Sequence, residues 1–514
     1  MKSKQLKIFL KQYWILLVLI ATKLILQFAL INPIYELHRD EFLHLDQAFH
    51  PAAGYISVPP FTSWMSGLIY LMGGGLFWIR LVPALFGTMT VVFGWLIVEA
   101  LGGKLAAKVL TSTLLIFSVY TRMNVLFQPN SFDILVWTVI FYSLIKYLER
   151  QHLKWLILLS LVTTLGLYNK YTLAFLIIGL FLGLIISGQR YIFKRKALYY
   201  AISFALLLFL PNVIWQITNH FPVLHHMHAL KENQLVNINR IDFLLDQFKY
   251  GLIGIPTIAA FWAFIFYKPF QPYRFVFWTF IGVLVLFTIS RAKSYYSLGL
   301  YPVLFAFGSV YLETWFGKWK TVLISFLVVT NITAFSFIIK YLMPYQQPSE
   351  IIANPESYKR LGLLRWEDGK NHPLPQDFAD MLGWKEMADK ALAAYQMVPS
   401  GESQSTLIYC DNYGQAGALN YFNRGQTPEA YTFNSDYIHW LPRKIKFRNM
   451  LLVGHLPRKE VIEMFEEYKR VGVVENEFSR EKGTELFLFQ GAKSYAAERF
   501  NQIAEERRKN FEIF

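Results

Sequence analysis

Long apolar runs separated by short polar loops fill residues 1–344. A helix needs about 20 residues, within a range of roughly 17–25, to cross the hydrocarbon of a bilayer. Eleven runs approach this length, so the pattern predicts eleven membrane-spanning helices. They occupy residues 12–31, 76–98, 105–121, 131–148, 154–169, 171–187, 197–214, 251–267, 275–290, 297–315 and 321–341.

The Lys and Arg residues between these runs are unevenly distributed. Loops on the side of the N-terminus are rich in them, and the opposite loops before residue 345 are poorer for their length. Positively charged loops stay in the cytoplasm. We therefore expect a cytoplasmic N-terminus, and an odd number of spans then puts residues 345–514 outside. The cations that set this orientation are Lys2, Lys4, Lys7, Lys11, Lys104, Lys108, Lys146, Arg150, Lys154, Arg190, Lys194, Arg195, Lys196, Lys268, Arg274, Lys318 and Lys320.

Residues 345–514 have a different pattern, in which short apolar strands alternate with amphipathic helices. This alternation favours a small α/β domain. We therefore predict a transmembrane domain over 1–344, with a first outer loop at 32–75, and an extracytoplasmic α/β domain over 345–514. The predicted strands cover 406–411, 449–454, 471–478 and 484–490, and the predicted helices cover 376–396, 414–423, 458–470 and 494–512.

Composition and charge support this division. Hydrophobic residues make up 54% of the chain and charged residues 17%, whereas soluble domains carry about 25% charged residues. The net charge of +15 arises in residues 1–344, which hold 28 Lys and Arg against 11 Asp and Glu, while 345–514 hold 22 against 24. This fits basic loops beside spans, and no nucleic-acid partner is expected. Cys410 is the single cysteine, so no intramolecular disulfide and no cysteine-based zinc site can form.

The first outer loop contains the most informative polar residues. Asp40 and Glu41 are adjacent, and His44 follows at helical spacing from both. The apolar positions around them suit an amphipathic helix at the membrane interface. Two neighbouring carboxylates repel each other unless a proton transfer or a cation uses them. The alternative is a solvated acidic cluster beside the membrane.

Several cations fall on the outer side, against the general bias. Basic groups there are what a lipid-linked phosphate would need. The alternatives are ordinary loop charge, contact with lipid headgroups and, for Arg80, a side chain that snorkels to the interface. The candidates are Arg80, Lys170, Arg291 and Lys293.

Three histidines, His225, His226 and His228, lie close together in a later outer loop. Adjacent side chains diverge on most backbones, and no cysteine is near them in sequence, so we do not predict a metal site. Ligand contact or a structural role is the expectation.

Short motifs along the chain occur in an order typical of one enzyme family. Taken together, they make the chain resemble the GT-C glycosyltransferases of family 39, which include protein O-mannosyltransferases and the bacterial aminoarabinose transferase acting on lipid A. The motifs are Asp40-Glu41, Pro59-Pro60, residues 80–85, Gln128-Pro129 with Asp133, Tyr168-Asn169-Lys170-Tyr171, residues 210–216, 221–226 and 293–296, Tyr301-Pro302, and residues 411–416.

The resemblance implies a polytopic α-helical GT-C protein of about eleven spans that carries a soluble C-terminal α/β domain. Its implied activity is transfer of a hexosyl or pentosyl group from a polyprenyl-phosphate donor to an acceptor hydroxyl. The implied location is the periplasmic face of a bacterial cytoplasmic membrane. The acceptor would be a glycolipid, a glycan or a protein, and no cofactor is predicted, although metal dependence varies among GT-C enzymes.

The resemblance also implies roles for individual residues. Asp40 corresponds to the family's proposed catalytic base, and Glu41 takes the neighbouring position of that acidic motif. The donor phosphate is expected to bind to Arg80, Lys170, Arg291 and Lys293. Substrate contacts are expected from His44, Asp133, Tyr171, His226, Tyr295 and Tyr296.

One position departs from the family pattern. Lipid A transferases of this type carry Glu-Lys just before the double proline, where this chain has Ser57 and Val58. A basic residue expected near the donor phosphate is therefore missing. Lys170, Arg291 or Lys293 is expected to replace it, and the identity of the sugar stays open.

Two other classes of protein share the polytopic pattern. A transporter or flippase of lipid-linked sugars would typically show internal repeats and charges at the middle of broken helices. The sequence has no evident repeat, and its polar residues gather at one face. A non-catalytic envelope scaffold would use residues 345–514 to bind a partner. The sequence does not identify the acceptor or the oligomeric state.

Overall fold

A computed structural model of the chain describes residues 2–252 and 254–510 and divides it into two compact units. The helical unit comprises Met1–Ile31, Gly74–Ile214 and Gln234–Tyr345. The sheet unit comprises Asn32–Gly73, Trp215–Asn233 and Gln346–Phe514. The first outer loop therefore belongs to the same compact unit as the C-terminal region.

The helical unit contains apolar helices, of which some are long and some short, at the positions of the predicted spans. Seven helical segments of the described chain are long and apolar enough to cross a membrane: Gln12–Ala29, Leu76–Ala100, Pro129–Arg150, Lys196–Thr218, Lys268–Ile289, Ser294–Trp315 and Gly317–Leu342. The pair Arg240–Tyr250 and Ile255–Phe266 adds an eighth when it is counted as one broken span, and three shorter apolar helices cover Leu105–Ile116, Leu153–Asn169 and Leu173–Ile186. The protein is a multi-pass membrane protein, and its polytopic helical class is confirmed.

Close packing of these helices depends on small residues. A Cβ atom on Gly308 would overlap the carbonyl of Pro256, so the helices Ile255–Phe266 and Tyr301–Trp315 touch through the glycine. Lipid tails are as apolar as the helix surfaces, so the hydrophobic effect does not drive helices together within a bilayer. Their association depends instead on close van der Waals packing, which small residues allow. Around these contacts lies a core of large side chains that includes Trp137, Phe287 and Tyr301.

The sheet unit is built on five strands in the order β2-β1-β3-β5-β4. Strands β2, β1 and β3 pair in parallel, and β5 is antiparallel to both β3 and β4. The predicted α/β domain is therefore present. The strands are β1 (Thr406–Cys410), β2 (Ala430–Tyr431), β3 (Asn449–Gly454), β4 (Phe465–Val473) and β5 (Glu485–Ala492).

The helices of the sheet unit come from three parts of the chain. The first loop forms Arg39–Asp46 and Phe61–Leu71, and residues 215–233 include Pro222–Asn233. The C-terminal region forms Pro348–Ala353, Glu356–Arg360, Gln376–Ala379, Trp384–Gln396, Tyr413–Phe422, Tyr437–Trp440, Lys459–Ile462 and Ala496–Asn510.

Three secondary-structure predictions for this unit are wrong. The predicted strand 471–478 overlaps only the end of β4, which stops at Val473. The predicted helix 458–470 ends at Ile462, and β4 begins at Phe465. Its apolar residues have helical spacing, but pairing with β5 overrides that pattern, as the stacking of Tyr468 on Phe489 at 5.3 Å shows. The predicted helix 376–396 is interrupted at Gly383, whose φ of +84° suits glycine and whose missing Cβ leaves room for Ser479.

Candidate active site

The first-loop helix, Arg39–Asp46, begins with a capping box. His38 precedes the helix, and its backbone N–H donates to Glu41 Oε2 at 2.7 Å. Its ring atom Nδ1 accepts a hydrogen bond from the backbone N–H of Asp40 at 3.2 Å. Such bonds satisfy backbone donors that have no partner at a helix start. The helix start is thereby fixed, with Asp40 in the first turn.

The apolar face of this helix packs against other parts of the protein. Phe42 is fully buried, with its ring 5.6 Å from Trp384 and within 6 Å of two further aromatic rings, and Leu45 is also buried. Gly417 makes this approach possible, since a Cβ there would lie 2.7 Å from Phe42 Cβ. The helix therefore rests on the C-terminal helix Tyr413–Phe422.

Asp40 receives a hydrogen bond from a residue that is distant in sequence. The hydroxyl of Tyr413 donates to Asp40 Oδ1 at 2.7 Å. The guanidinium of Arg39 lies over the same aromatic ring, 4.3 Å from its centre. One tyrosine thus contacts both neighbouring charges of the first loop.

The charge state of Asp40 follows from these neighbours. Burial raises the pKa of the carboxyl, but the charges of His38 and Arg39 and the hydrogen bond from Tyr413 outweigh it and lower the pKa to about 2. The carboxyl is therefore ionised at neutral pH. Its side chain remains 39% exposed, so a reactant can reach it.

Glu41 and His44 lie beside Asp40 but differ from it in burial. Glu41 is fully buried and closes the capping box. His44 is also buried, and burial lowers the pKa of its imidazole although Asp40 and Asp436 oppose the shift. A neutral imidazole is the form expected at pH 7. Of the two predicted catalytic carboxylates, Asp40 is thus the accessible one.

The other end of the helix is an anchor. Asp46 is buried and accepts hydrogen bonds from Tyr437 at 2.6 Å, Asn420 at 2.7 Å and Arg424 at 2.7 Å. Burial raises the pKa of Asp46 to about 6, and these three partners offset only part of that effect. This carboxylate ties the first loop to the C-terminal region.

In the helical unit, Lys170 is the centre of a second polar group. It follows the end of the helix Leu153–Asn169, and its Nζ donates to Asn130 Oδ1 at 2.9 Å. The same ammonium lies 4.1 Å from the ring centre of Tyr296 and 5.4 Å from that of Tyr295. The two tyrosine rings meet edge to face at 4.9 Å. The structure therefore brings three predicted site residues together.

Two more predicted residues lie in the helical unit with defined partners. Asp133 is buried, accepts a hydrogen bond from the Trp137 indole at 3.0 Å and interacts electrostatically with Lys170. The hydroxyl of Tyr171 donates to Asn212 Oδ1 at 2.9 Å. Asp133 thus belongs with the Lys170 group.

Two of the remaining predicted cations, Arg80 and Arg291, donate to backbone carbonyls. Arg80 is 5% exposed and donates to the carbonyl of Val125 at 3.0 Å, so its side chain does not snorkel. Arg291 has a φ of +51° and donates to the carbonyl of Val236 at 3.0 Å. Lys293 directly precedes the turn Ser294–Leu300, which carries Tyr295 and Tyr296.

His226 lies on the helix Pro222–Asn233 of the sheet unit. Its neighbours His225 and His228 are exposed, and His228 pairs with Glu232 at 3.1 Å. Within residues 2–252 and 254–510, no group of three or more His, Cys, Asp or Glu side chains is arranged to hold a metal ion.

Sequence reasoning missed two partners in these groups. Tyr413 stands in a motif that supported the family resemblance, but nothing in the sequence pairs it with a residue 373 positions away. The local signal at 412–415 was readable, since Asn412 followed three residues later by Gln415 is a capping box. Asn130, which holds Lys170, had no comparable signal.

Comparisons with known proteins agree with this architecture. Residues 57–215 match the model of a family described as dolichyl-phosphate-mannose-protein mannosyltransferase. The structure of ArnT from Cupriavidus metallidurans bound to undecaprenyl phosphate superposes with a TM-score of 0.63 at 14% identity, over 93% of this chain and 98% of ArnT. This chain shares the fold of ArnT over nearly its whole length. The predicted resemblance is therefore confirmed.

The apo state of the same ArnT gives a TM-score of 0.59 at 13% identity, with the same coverage of both chains. The GT-C fold thus extends over nearly the whole length of the chain. A comparison with curated protein sequences gives no match.

Proposed function

We propose that this protein is an integral-membrane glycosyltransferase that moves a sugar from a polyprenyl-phosphate donor to an acceptor hydroxyl. The observation that carries the proposal is the Asp40 carboxylate, which is ionised, accessible and held by Tyr413 at 2.7 Å. The family description, which names a dolichyl-phosphate sugar, and the binding of undecaprenyl phosphate by ArnT support a lipid-phosphate donor.

In the proposed reaction the acceptor oxygen attacks the anomeric carbon, and the bond from that carbon to the phosphate oxygen breaks. The hydroxyl proton passes to Asp40, and the lipid phosphate leaves with the bonding electrons. A carboxylate with a pKa near 2 is a weak base. It therefore takes the proton late, when the new carbon–oxygen bond has made that proton strongly acidic. Until then its negative charge favours the positive charge that develops on the sugar ring.

The leaving phosphate gains charge and needs a cation to stabilise it. Lys170 is the best-supported candidate. Its ammonium donates to the neutral Asn130 and lies against two tyrosine rings, and the nearby Asp133 interacts with it electrostatically. We assign supporting roles to Arg80, Arg291 and Lys293. Lys170 would then supply the positive charge that is missing at Val58.

The same proposal assigns roles to the other predicted site residues. We assign contact with donor or acceptor to His44, Asp133, Tyr171, His226, Tyr295 and Tyr296, and a positioning role to Glu41. The acceptor is a glycolipid, glycan or protein, and the transferred group is a hexose or pentose. The setting is a bacterial cytoplasmic membrane with residues 32–75 and 345–514 in the periplasm.

The direct test measures transfer of labelled sugar from a polyprenyl-phosphate donor by the purified protein. Asp40→Asn keeps the size of the side chain and removes its charge, so transfer should disappear while expression and the unfolding temperature stay unchanged. Asp389→Asn is the control, since Asp389 is 57% exposed and pairs with the equally exposed Lys385. Transfer retained by Asp40→Asn would refute the catalytic role.

The sidedness can be tested with a thiol reagent that does not cross membranes. Cys410 is buried, so an introduced cysteine will be the reactive one. Ser400→Cys, at an exposed site of the C-terminal region, should be labelled in intact spheroplasts. Lys318→Cys, in an exposed loop predicted to be cytoplasmic, should be labelled only after lysis. The opposite pattern would reject the proposed orientation.

A further inference from the structure

The C-terminal region presents one side chain directly to the proposed catalytic carboxylate. Tyr413 is the first residue of the helix Tyr413–Phe422. Its hydroxyl donates to Asp40 Oδ1 at 2.7 Å, and its ring lies beneath the Arg39 guanidinium. A single side chain of the C-terminal region thus contacts both Asp40 and the cation next to it.

The position of Tyr413 is well fixed. Asn412 caps the helix, and its Oδ1 accepts the backbone N–H groups of Gly414 at 2.9 Å and Gln415 at 3.1 Å. The side chain of Gln415 donates to Glu481 at 2.7 Å, and Asn412 donates to the same carboxylate at 3.3 Å. The hydroxyl of Tyr413 is therefore presented from an ordered helix start rather than from a free loop.

Gly414 makes room for this arrangement. A Cβ atom at this position would lie 2.6 Å from Arg39 Cγ, closer than van der Waals contact allows. Glycine therefore lets the stem of Arg39 cross the helix start so that its guanidinium reaches the Tyr413 ring. A guanidinium over an aromatic face is held by the quadrupole of the ring.

The chemistry of the donor is also suitable. Burial and the neighbouring Asp40 raise the pKa of Tyr413 well above its ordinary value, so its hydroxyl stays protonated at any working pH. A hydrogen bond to a charged acceptor is stronger than one between neutral groups and fixes the direction of the acceptor. Tyr413 can therefore orient the carboxylate of Asp40 through its Oδ1 atom.

We propose that Tyr413 is a positioning residue for Asp40, and that the C-terminal region is thereby part of the catalytic apparatus. This inference rests on the proposed function. It assigns to residues 346–514 a role in setting the geometry and basicity of the reacting carboxylate, in addition to any role in binding an acceptor.

Several other charged groups also influence the pKa of Asp40, and a variant that tests Tyr413 must leave them unchanged. On its own segment these are His38, Arg39, Glu41 and His44. Segments packed against this helix contribute further charges. Asp377 and Asp380 lie 3.9 Å and 3.8 Å from the His38 ring. Arg480 pairs with Asp380, and Glu481 interacts electrostatically with Arg39. None of these is altered when the hydroxyl of Tyr413 is removed.

The test is Tyr413→Phe, which keeps the ring under Arg39 and removes the hydrogen bond. We expect kcat to fall by about tenfold to a hundredfold, with an unchanged KM for the lipid-linked donor. Loss of the bond also raises the pKa of Asp40, so the acidic limb of the pH–rate profile should move to higher pH. A purely structural role would lower the yield of folded protein without moving that limb.

Tyr431→Phe is the matched control, because Tyr431 also donates to a carboxylate, Glu429 at 2.8 Å, in the same unit. It should leave kcat and the pH profile unchanged. Gly414→Ala is a second variant, expected to displace Arg39 and move the acidic limb in the same direction as Tyr413→Phe. If Tyr413→Phe folds poorly, the pH–rate profile of Gly414→Ala tests the inference instead, and an unmoved acidic limb in that variant would overturn it.

Wild-type kcat and an unmoved acidic limb in Tyr413→Phe would overturn the inference. That result leaves the proposed function intact, provided that Asp40→Asn is inactive. Transfer by Asp40→Asn would instead reject the proposed function itself, so the two failures are distinguishable.

Discussion

The two ends of the first-loop helix carry aspartates with opposite properties. Asp40, in the first turn, is partly exposed, and nearby cations hold its pKa at about 2. Asp46, six positions later, is buried, and its pKa rises to about 6 although Arg424 contacts it. The same side chain on the same helix therefore serves in one place as an accessible charge and in the other as an anchor.

The balance between burial and neighbouring charges decides the pKa of each carboxylate. At Asp40 the favourable charges and the hydrogen bond outweigh burial, and the carboxylate stays ionised. At Asp46 burial outweighs a bound arginine and two neutral donors. Sequence position alone does not separate these outcomes, since both residues are acids on one short helix of the first loop.

The largest expected effect comes from exchanging each acid for its amide. Asp40→Asn should lower the transfer rate by about a thousandfold or more, because general base catalysis contributes roughly 10²–10⁴-fold and the anion is lost as well. Asp46→Asn should keep the rate within about threefold, since the amide keeps hydrogen-bonding capacity at the anchor. Both rates are measured with labelled donor. Equal losses in the two variants would remove the contrast.

A second variant tests the anchor itself. Arg424 is 37% exposed and pairs with Asp46 at 2.7 Å. Arg424→Met leaves that buried carboxylate without its cation, and we expect the free energy of unfolding to fall by about 1–3 kcal/mol at pH 7. Lys385→Met is the control, because it breaks an exposed pair with Asp389 that is worth less than about 1 kcal/mol. Denaturation in detergent measures both, and equal small losses would contradict the anchoring role.

A third variant tests whether the cation Lys170 binds the phosphate of the donor. Lys170 is half-buried, and its hydrogen bond goes to the neutral Asn130. Lys170→Gln should raise the KM for the lipid-phosphate donor by about tenfold, because one charge-assisted contact to phosphate is lost. Lys340→Gln, on the last long helix, is the control and should have no effect. An unchanged KM in Lys170→Gln would exclude it from donor binding.

The smallest expected effect concerns pH. Asp46 has a folded pKa of about 6 against an ordinary value near 4, so between pH 4 and 6 the folded state binds more protons and stability falls as pH rises. Asp40 has the opposite effect because its pKa is lowered in the folded state. Its contribution to the free energy of unfolding is present above pH 4 and is lost as the pH falls towards 2. Relative to Asp46→Asn, the wild type should lose about 1–3 °C in unfolding temperature from pH 4 to 6. A constant difference between the two would contradict the raised pKa.

Features set by local pattern were predictable from the sequence. Each of the eleven predicted spans falls on an apolar helix, because long apolar runs are readable in the sequence. In the described residues, seven of these segments, or eight with the bent pair, are long enough to cross a membrane. The strands β1, β3 and β5 were also placed within two residues of their observed bounds. Among the site residues, the grouping of Asp40, Glu41 and His44 on one helix was predicted from their spacing alone.

Features set by distant contacts were not predictable. The amphipathic pattern of the first-loop helix shows which face is apolar, but not that Trp384 and Gly417 cover it. The bond between Tyr413 and Asp40 joins residues 373 positions apart, and no local pattern encodes it. The helical spacing at 458–470 was misleading, since the edge strand β4 gains its stability from β5.

The most direct test of the central claim is mass spectrometry of glycolipids and glycans from cells that lack the gene and express either the wild type or Asp40→Asn at equal levels. We expect a molecule with the mass of one added hexose or pentose in the wild-type cells and its absence in the variant. The same added mass in both strains would show that transfer does not need the Asp40 carboxylate and would refute its catalytic role.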